Sequence, residues 1–237
     1  MKLSEELKNH YDSYYSAGAS EWRIAGAKGK ADNIVRLCSS VPHADILEIG
    51  SGDGAILNRL GELGFGERYH ALEISRSGVE AILERNLPTL KECRLFNGYD
   101  IPYENDQFDV AILSHVLEHV EHPRELLAEA SRVAKHLFIE VPLEDNFGLV
   151  KNYVNDGVGH INFYSPRGIR LLAQTSGLEV MTQITTDFPK KVYELQYKHR
   201  WRIYWAIKTV AIKAAPRLAS LFFTYCGSIL CGKANHA

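Results

Sequence analysis

Short apolar segments alternate with amphipathic segments through the middle of this sequence, and that alternation restricts the possible folds more than any other feature. Four apolar runs bounded by turn residues are predicted to be buried β-strands: Asp45–Ile49, Tyr69–Ile74, Phe108–Leu113 and His136–Val141. The segments between them have the periodicity of amphipathic helices. Strands that alternate with helices favour right-handed crossovers and a parallel sheet covered on both faces. The sequence therefore predicts a doubly wound α/β fold.

Two of the predicted helices have recognisable ends. In the first, Asp53 is the candidate N-cap and Gly64 the stop. In a later helix, Ser165 and Pro166 are expected at the N-cap and first helical positions, and Gly177 ends the helix. A sheet of this kind binds ligands outside the carboxyl ends of its strands, where the strand order reverses. We therefore look for functional residues just after each strand.

The formal net charge of −2 conceals a strong asymmetry. Residues 189–237 contain nine Lys or Arg and a single acid, Glu194, which gives +8; the rest of the chain, with 18 basic and 28 acidic residues, carries −10. An acidic body with no recognised RNA-binding module argues against a nucleic-acid partner. The four cysteines form no C-x-x-C pair, and Met1–His10 contains no long apolar stretch, so we expect reduced thiols and a cytoplasmic location.

A glycine turn joins the first strand to the first helix. Gly50, Gly52 and Gly54 allow a sharp turn and a close approach of the backbone to a ligand, which would face free amides at the helix N-terminus. Glu73, at the end of the next strand, can accept both hydroxyls of a ribose. Together they indicate an adenosine ligand. NAD fits as well as S-adenosylmethionine at this point, since the turn also reads as G-x-G-x-x-A with Ala55 in third place.

Later segments of the chain distinguish NAD from S-adenosylmethionine as the predicted ligand. The runs LEIGSGDG, ALEIS, IPYENDQFDVAILSHVLEHVEHP, LLAEASRVAK and EVP occur in order, and the stretch from Asp45 to Val180 resembles the class I S-adenosylmethionine-dependent methyltransferases, especially methyltransferase-11 and methyltransferase-23 sequences. The resemblance implies S-adenosylmethionine as cofactor. It also implies a Rossmann-like, seven-stranded, mostly parallel sheet with an antiparallel last strand, for which Phe222–Cys231 is the candidate. A dehydrogenase has less support because no hydride-handling constellation is evident.

The same resemblance implies the cofactor-binding residues. They are Glu48, Gly50, Ser51, Gly52, Glu73, Ile74, Asn97, Gly98 and Ser114. Glu48 would support the glycine turn and the methionine end, and Glu73 the ribose. Asn97 would face the adenine, and Ser114 would border the sulfonium. Many relatives have Asp where this chain has Asn97, but the Asn carbonyl can still accept a hydrogen bond.

The chain is expected to be one domain with three regions. Residues 1–42 are predicted to be N-terminal helices that serve as a lid, residues 43–188 the cofactor-binding core, and residues 189–237 a basic amphipathic helix with the last strand. The lid prediction rests on two helices across Leu3–Leu37 with an aromatic cluster. The first helix carries that cluster, Tyr11, Tyr14 and Tyr15, and Trp22 follows it; packing within the protein is the alternative role for these rings.

Histidines concentrate just after the fourth predicted strand. If the segment were helical, one face would carry His115, Glu118, His119 and His122. Glu118 and His119 could be purely structural. Alternatively, His115 or His119 is a general base, because the pKa of histidine lies near neutral pH. His160, in a glycine-containing loop before Ser165, is a third candidate base at the expected substrate wall.

A metal site is a further alternative. The segment is similar to the Glu-x-x-Glu-His metal motif of ubiquinone-pathway O-methyltransferases and small-RNA 2′-O-methyltransferases, and the RNA enzymes add a distant histidine. Here His115 takes the first Glu position, Glu118 and His119 follow, and His160 would be the distant ligand. Because the first ligand is altered, we assign no metal and keep His115, His119 and His160 as catalytic candidates.

The basic C-terminal segment admits two interpretations. A helical wheel of Lys198–Ala215 places basic residues on one stripe and leaves Trp, Tyr and Ile over the rest. Leu218–Gly232 then has no charge, but it is too short for a comfortable membrane span. The segment is either a sheet-covering helix followed by the last strand, or a peripheral contact with the inner face of an anionic membrane.

The sequence thus predicts a methyltransferase that methylates an oxygen of a small molecule, glycan or lipid-linked intermediate. A metal-assisted O-methyltransferase of the quinone-precursor or RNA type is one alternative. A non-catalytic, adenosylmethionine-binding partner subunit is the other, against which the full cofactor set and the histidines argue.

Overall fold

The protein folds around one seven-stranded sheet. The computed structural model describes residues 21–149 and 159–234. The strands are β1 Asp45–Ile49, β2 Arg68–Glu73, β3 Leu90–Leu95, β4 Phe108–Ser114, β5 Ala134–Pro142, β6 Leu178–Thr186 and β7 Cys226–Lys233. Their order is β3-β2-β1-β4-β5-β7-β6, and β7 pairs antiparallel with both of its neighbours. The mostly parallel sheet with an antiparallel last strand is therefore confirmed.

Helices cover both faces of this sheet. They are α1 Glu21–Cys38, α2 Ala55–Glu62, α3 Arg76–Glu84, α4 Pro123–Val133, α5 Pro166–Thr175, α6 Lys190–Tyr197, α7 Trp201–Ala214 and α8 Pro216–Phe222, with a 3₁₀ turn at Lys198–Arg200. Side chains of α1, α2 and α3 share one buried cluster, while those of α4, α5 and α8 share the other. Alternate residues of β1 contribute to opposite clusters, as Ile46 and Leu47 do. This arrangement confirms the doubly wound α/β prediction.

The predicted strand bounds agree with the structure where the strands are buried. β1 matches its prediction, and the ends of β2, β4 and β5 lie within two residues of theirs. No bounds were predicted for β3, which lies at the sheet edge and has three charged residues among its six and no fully buried one, so its apolar signal is weak. The last strand begins at Cys226 rather than Phe222, because Phe222 ends α8.

Helix ends were predicted with mixed success. The Ser165 hydroxyl accepts a hydrogen bond from Gly168 N at 3.2 Å, and Pro166 is the first helical residue, as expected. The N-cap of α2 is Gly54 and not Asp53, because the left-handed conformation at this point (φ +73°) suits glycine. Of the lid prediction, α1 is seen, whereas Tyr11, Tyr14 and Tyr15 lie outside the described residues.

All four cysteines are free thiols, as expected. None of the helices in the described part of the chain is long and apolar enough to cross a membrane.

Candidate active site

The ends of four neighbouring strands define one edge of the sheet. β1, β2, β3 and β4 are parallel, so their carboxyl ends meet there. The chain runs outward from β1 to β3 on one side and from β4 onward on the other, so the strand order reverses between β1 and β4. A crevice at this reversal point is the usual ligand site of such a sheet.

The glycine turn lies at this edge and is fixed to the neighbouring strand. Gly50, Gly52 and Gly54 have φ of +72°, +58° and +73°. A Cβ on Gly50 would lie 2.7 Å from Cγ2 of Val116, so a side chain has no room there. The Gly50 and Ser51 amides donate to the Leu72 carbonyl at 2.8 and 3.1 Å. These contacts hold the turn in one conformation next to β2.

Glu73 supports the same turn from the end of β2. Its carboxylate accepts hydrogen bonds from Gly52 N at 2.8 Å and from both the amide and the hydroxyl of Ser75 at 3.1 and 3.0 Å. Burial raises the pKa of Glu73, and these hydrogen bonds oppose that shift. A carboxylate has about four acceptor positions, so three protein donors leave capacity for a ligand hydroxyl.

Glu48 is a buried carboxyl group on β1. Burial raises its pKa well above the ordinary value, and the charges of Lys30 and Arg85 lower it only in part. Among the described residues, none has a donor within hydrogen-bonding distance of Glu48 Oε2. Because buried polar atoms in folded proteins are normally paired, this oxygen marks a position for a ligand or a water molecule.

Asp53 is not at the N-cap position, but its carboxylate accepts a hydrogen bond from Ala55 N, the first amide of α2, at 3.2 Å. Its carboxylate pairs with Arg23 at 3.0 Å and with Arg85 at 3.2 Å. Arg23 belongs to α1, so this ion pair ties the N-terminal region to the glycine turn.

Asn97 and Gly98 form the turn after β3. The Asn97 side-chain carbonyl accepts from the amides of Tyr99 and Asp100 at 3.0 and 2.8 Å, and its amide group donates to the Asp100 carboxylate. Gly98 is buried with φ of +98°. Asn97, the predicted adenine contact, therefore uses its side-chain carbonyl for two hydrogen bonds within its own loop. Ile74 is partly buried against the main core cluster.

A buried carboxylate, which the sequence analysis missed, lies beside Ser114. Glu140 on β5 is fully buried and accepts hydrogen bonds from Asn33 and Ser228, both at 2.7 Å. The Ser114 hydroxyl donates to its other oxygen at 3.3 Å. The one available signal was an acidic residue within the otherwise apolar run HLFIEVP. Glu140 thus joins the ends of β4, β5 and β7.

His115 bridges two buried carboxylates. Its Nδ1 lies 3.2 Å from Glu118 Oε1, and its Nε2 lies 3.7 Å from Glu140 Oε1. Its φ is +58°, an uncommon conformation for a residue other than glycine. The predicted helical face was wrong, because this segment is a turn and the helix begins only at Pro123. His122 consequently packs near the Tyr99 ring.

The turn nevertheless brings the other two candidate histidines together. The rings of His119 and His160 lie 4.8 Å apart, edge to face. His119 Nδ1 donates to the Gly159 carbonyl at 3.2 Å. His160 Nδ1 lies 2.7 Å from Glu144 Oε2, a strong charge-assisted contact that the sequence analysis did not predict. Glu144 follows β5 in a loop, where no pattern marked it.

Glu118 supplies negative charge beneath these rings. Burial raises the pKa of Glu118, but the contact with His115 and the charges of His115 and His119 outweigh it and lower the pKa to about 2. For His119, burial lowers the pKa and Glu118 partly opposes this. The Glu118 backbone carbonyl also accepts from Ile161 N and Asn162 N at 2.8 and 3.0 Å, which fixes the loop that carries His160.

Among residues 21–149 and 159–234, two groups of side chains could hold a metal ion. In each group the donor atoms lie within 4.8 Å of one another: Glu118, His119 and His160 in the first, and His115, Glu140 and Cys226 in the second. Imidazole with carboxylate suits a transition metal. The second group fits less well, because Glu140 already accepts hydrogen bonds and burial raises the Cys226 pKa, which disfavours the thiolate.

Solved structures share this fold. The protein in complex with the Trm112 methyltransferase activator of Haloferax volcanii superposes with a TM-score of 0.70 at 15% identity, over 98% of this chain and 99% of the other. Geranyl diphosphate C-methyltransferase of Streptomyces coelicolor gives a TM-score of 0.62 at 14% identity, over 87% of this chain and 78% of the other.

Sequence comparison supplies the family. An uncharacterised protein of Methanocaldococcus jannaschii is 23% identical over 138 residues, a match that spans 57% of each chain and thus little more than half the length of that relative. Residues 22–183, from α1 to β6, match the methyltransferase-23 family of methyltransferase domains. The chain therefore belongs to the methyltransferase-23 family of methyltransferase domains, and it has the fold of the solved structures named above.

Proposed function

We propose that the protein transfers the methyl group of S-adenosylmethionine to a hydroxyl oxygen of a small or lipid-linked acceptor. The single observation that carries the acceptor chemistry is the 2.7 Å contact between His160 and Glu144 near the carboxyl ends of β4 and β5. A histidine oriented by a carboxylate is a typical proton acceptor in enzymes. The fold does not select the acceptor atom, since a neighbour with the same fold methylates carbon.

The cofactor would bind across the glycine turn. Gly50, Ser51 and Gly52 would line it, with Ile74 and Gly98 on its adenosine side and Asn97 facing the adenine. Glu73 would accept a ribose hydroxyl. Glu48 Oε2, which accepts no hydrogen bond from the described residues, would face the methionine end, and Ser114 would border the sulfonium. These assignments are supported by the shared sheet edge and by the positive φ angles of the turn.

The chemistry is an in-line displacement at carbon. The acceptor oxygen forms the new C–O bond as the methyl–sulfur bond breaks, which leaves S-adenosylhomocysteine. The hydroxyl proton passes to Nε2 of His160, because the Nδ1 proton is donated to Glu144. His119 would hold the His160 ring at its edge, and His115 would fix the positions of Glu118 and Glu140 by contacting both carboxylates.

The test is cofactor turnover with a panel of alcohol, amine and carbon acceptors. S-adenosylhomocysteine should accumulate in proportion to the methylated product, and the alcohols should react. Binding of S-adenosylmethionine without turnover on any acceptor would contradict the proposed methyltransferase activity and favour a non-catalytic partner subunit. Preference for amines or carbon would overturn only the choice of oxygen.

A metal-assisted reaction is the second candidate, and the clustering of Glu118, His119 and His160 favours it specifically. In that case purified active enzyme should contain a stoichiometric metal, and chelation should abolish turnover reversibly. His119→Ala should lose both metal and activity. Metal-free protein with full activity in a chelator would remove this candidate and leave His160 as the base.

Glu73→Gln is expected to weaken S-adenosylmethionine binding by about tenfold or more, because a hydrogen bond to a charged group contributes about 1.5–3 kcal/mol. Titration calorimetry would measure the Kd. Glu84→Gln is the matched control, because Glu84 is exposed at the end of α3. This variant should bind S-adenosylmethionine with an unchanged Kd. An unchanged Kd in Glu73→Gln would contradict the assigned ribose contact.

A further inference from the structure

Helix α7 exposes aliphatic side chains and buries one of its lysines. Ile203, Ile207 and Val210 follow the spacing of one helix face, and they are 67%, 51% and 66% exposed. Lys208, in contrast, is only 2% exposed. A helix that covers a sheet normally buries its aliphatic side chains and exposes its lysines. Because α7 exposes these three aliphatic side chains while Lys208 is buried, its outward face offers an apolar surface to a partner.

Exposed apolar side chains continue beyond α7. On α8, Leu218 and Phe222 are 60% and 61% exposed, and Phe147 in the loop after β5 is 76% exposed. The Phe147 and Phe222 rings lie 5.4 Å apart, and Phe147 N donates to the Leu221 carbonyl at 2.8 Å. Exposed apolar residues grouped in this way mark an interaction surface. We call Ile203, Ile207, Val210, Leu218, Phe222 and Phe147 the apolar face.

Cations accompany this face. Arg202, Lys213 and Arg217 on α7 and α8 are exposed, and no Asp or Glu occurs from Lys198 to Lys233. A partner therefore has to supply negative charge. A second copy of this chain paired face to face would set these cations against their own equivalents. An anionic lipid surface supplies both an apolar boundary and the counter-charge.

We propose that α7 and α8 dock on an anionic membrane surface, with the apolar face inserted at the headgroup boundary and the cations among the lipid phosphates. The half-buried Trp201 and Trp205 suit the same boundary. This proposal defines a partner that the methyl-transfer chemistry alone does not require.

The docking surface adjoins the proposed base. Glu144, which contacts His160, lies three residues before Phe147. Asn146 of the same loop donates to the Thr224 hydroxyl at 3.3 Å, and Leu143 N donates to the Tyr225 carbonyl at 2.8 Å. The loop therefore connects the apolar face to the His160–Glu144 pair. On the basis of the proposed function, the acceptor is a lipid-borne hydroxyl presented at the membrane surface.

The experiment is co-sedimentation of the full chain with vesicles of phosphatidylcholine alone or mixed with phosphatidylglycerol. Binding is expected only to the mixed vesicles and should fall as salt rises. Ile203→Ser combined with Val210→Ser should lower the partition coefficient at least about tenfold. Replacing Arg202 and Lys213 by Gln should lower it about fivefold for each cation at low salt.

Matched controls are Leu83→Ser on α3 and Leu171→Ser on α5, which remove exposed leucines elsewhere and should bind vesicles normally. Equal binding to neutral vesicles, or binding unchanged in the face variants, would overturn the proposal. So would a dimer in light scattering that the Ile203→Ser and Val210→Ser changes dissociate, since a second copy would then cover the face.

A separate measurement distinguishes this proposal from the proposed function. Titration with S-adenosylmethionine and turnover on a soluble alcohol need no vesicles, and the face variants should match the unmodified protein in both. Vesicle binding without turnover would leave the docking surface standing and refute O-methylation. Turnover on the soluble alcohol without vesicle binding would support O-methylation and overturn the docking surface.

Discussion

His160→Ala is expected to lower kcat for an alcohol acceptor by about 10²-fold or more, because a positioned general base contributes about 10²–10⁴-fold. The loss should be confined to the chemical step. His160 is held by Glu144 and by the loop tied to the Glu118 carbonyl and is not one of the residues assigned to the cofactor, so the Kd for S-adenosylmethionine should change by less than about twofold.

The pH profile gives a second readout. The rising limb that reports deprotonation of the base should be present in the unmodified protein and absent in His160→Ala. Glu144→Gln keeps a group that can accept from His160 Nδ1 but removes the negative charge that stabilises the imidazolium. Glu144→Gln should therefore lower kcat less than His160→Ala does, and it should shift the pH at which the rising limb of the profile occurs.

His122→Ala is the matched control, since His122 belongs to the same histidine-rich segment but packs near Tyr99. Its kcat should stay near normal. A near-normal kcat in His160→Ala at every pH would refute the role of His160 as the general base. Loss of cofactor binding in both His160→Ala and Glu144→Gln would show that the pair supports the fold instead.

The sequence predicted the features that depend on local pattern. The strand at Asp45–Ile49 and the cap at Ser165 follow from apolar runs and from turn chemistry. The edge that gathers the glycine turn, Glu73 and Ser114 follows from the parallel sheet, because parallel strands end on the same side.

The site residues from separate strands could not be predicted in the same way. Glu140 acquires its role only when Asn33 and Ser228, more than 80 residues away in each direction, reach its carboxylate. The helix predicted across His115 and Glu118 was wrong because a helical wheel assumes the helix. Here Pro123 sets the start of α4, and His115 turns the chain with a positive φ.

The polarity of α7 was also hidden from the sequence. The wheel gave a basic stripe, but it could not show that Lys208 would be buried. That burial depends on four aromatic rings, three of which lie outside α7. Their centroids lie 4.6–5.8 Å from Lys208 Nζ: Tyr225, Tyr193, Phe188 and Tyr204.

Lys208→Met should therefore lower the free energy of unfolding by about 3 kcal/mol, since removing one partner of a buried ion pair leaves the other uncompensated. Lys208 Nζ lies 3.0 Å from Asp187 Oδ1, donates to the Thr224 carbonyl at 2.7 Å and also donates to the Tyr193 hydroxyl. Burial lowers the pKa of Lys208, and Asp187 opposes that shift by stabilising the charged form. Methionine fills the space but satisfies none of these acceptors.

Chemical denaturation would measure this loss, and for a chain of this size the Tm should fall by about 6–12 °C. Lys213→Met, an exposed lysine on the same helix, should change the free energy of unfolding by less than about 0.5 kcal/mol. In a double-mutant cycle with Asp187→Asn, the coupling energy should exceed about 1 kcal/mol if the pair acts as a unit. A coupling near zero would mean that the aromatic rings hold Lys208 without Asp187. A Lys208→Met variant as stable as Lys213→Met would mean that packing of α7 on the body, rather than this buried cation, turns Ile203 and Val210 outward.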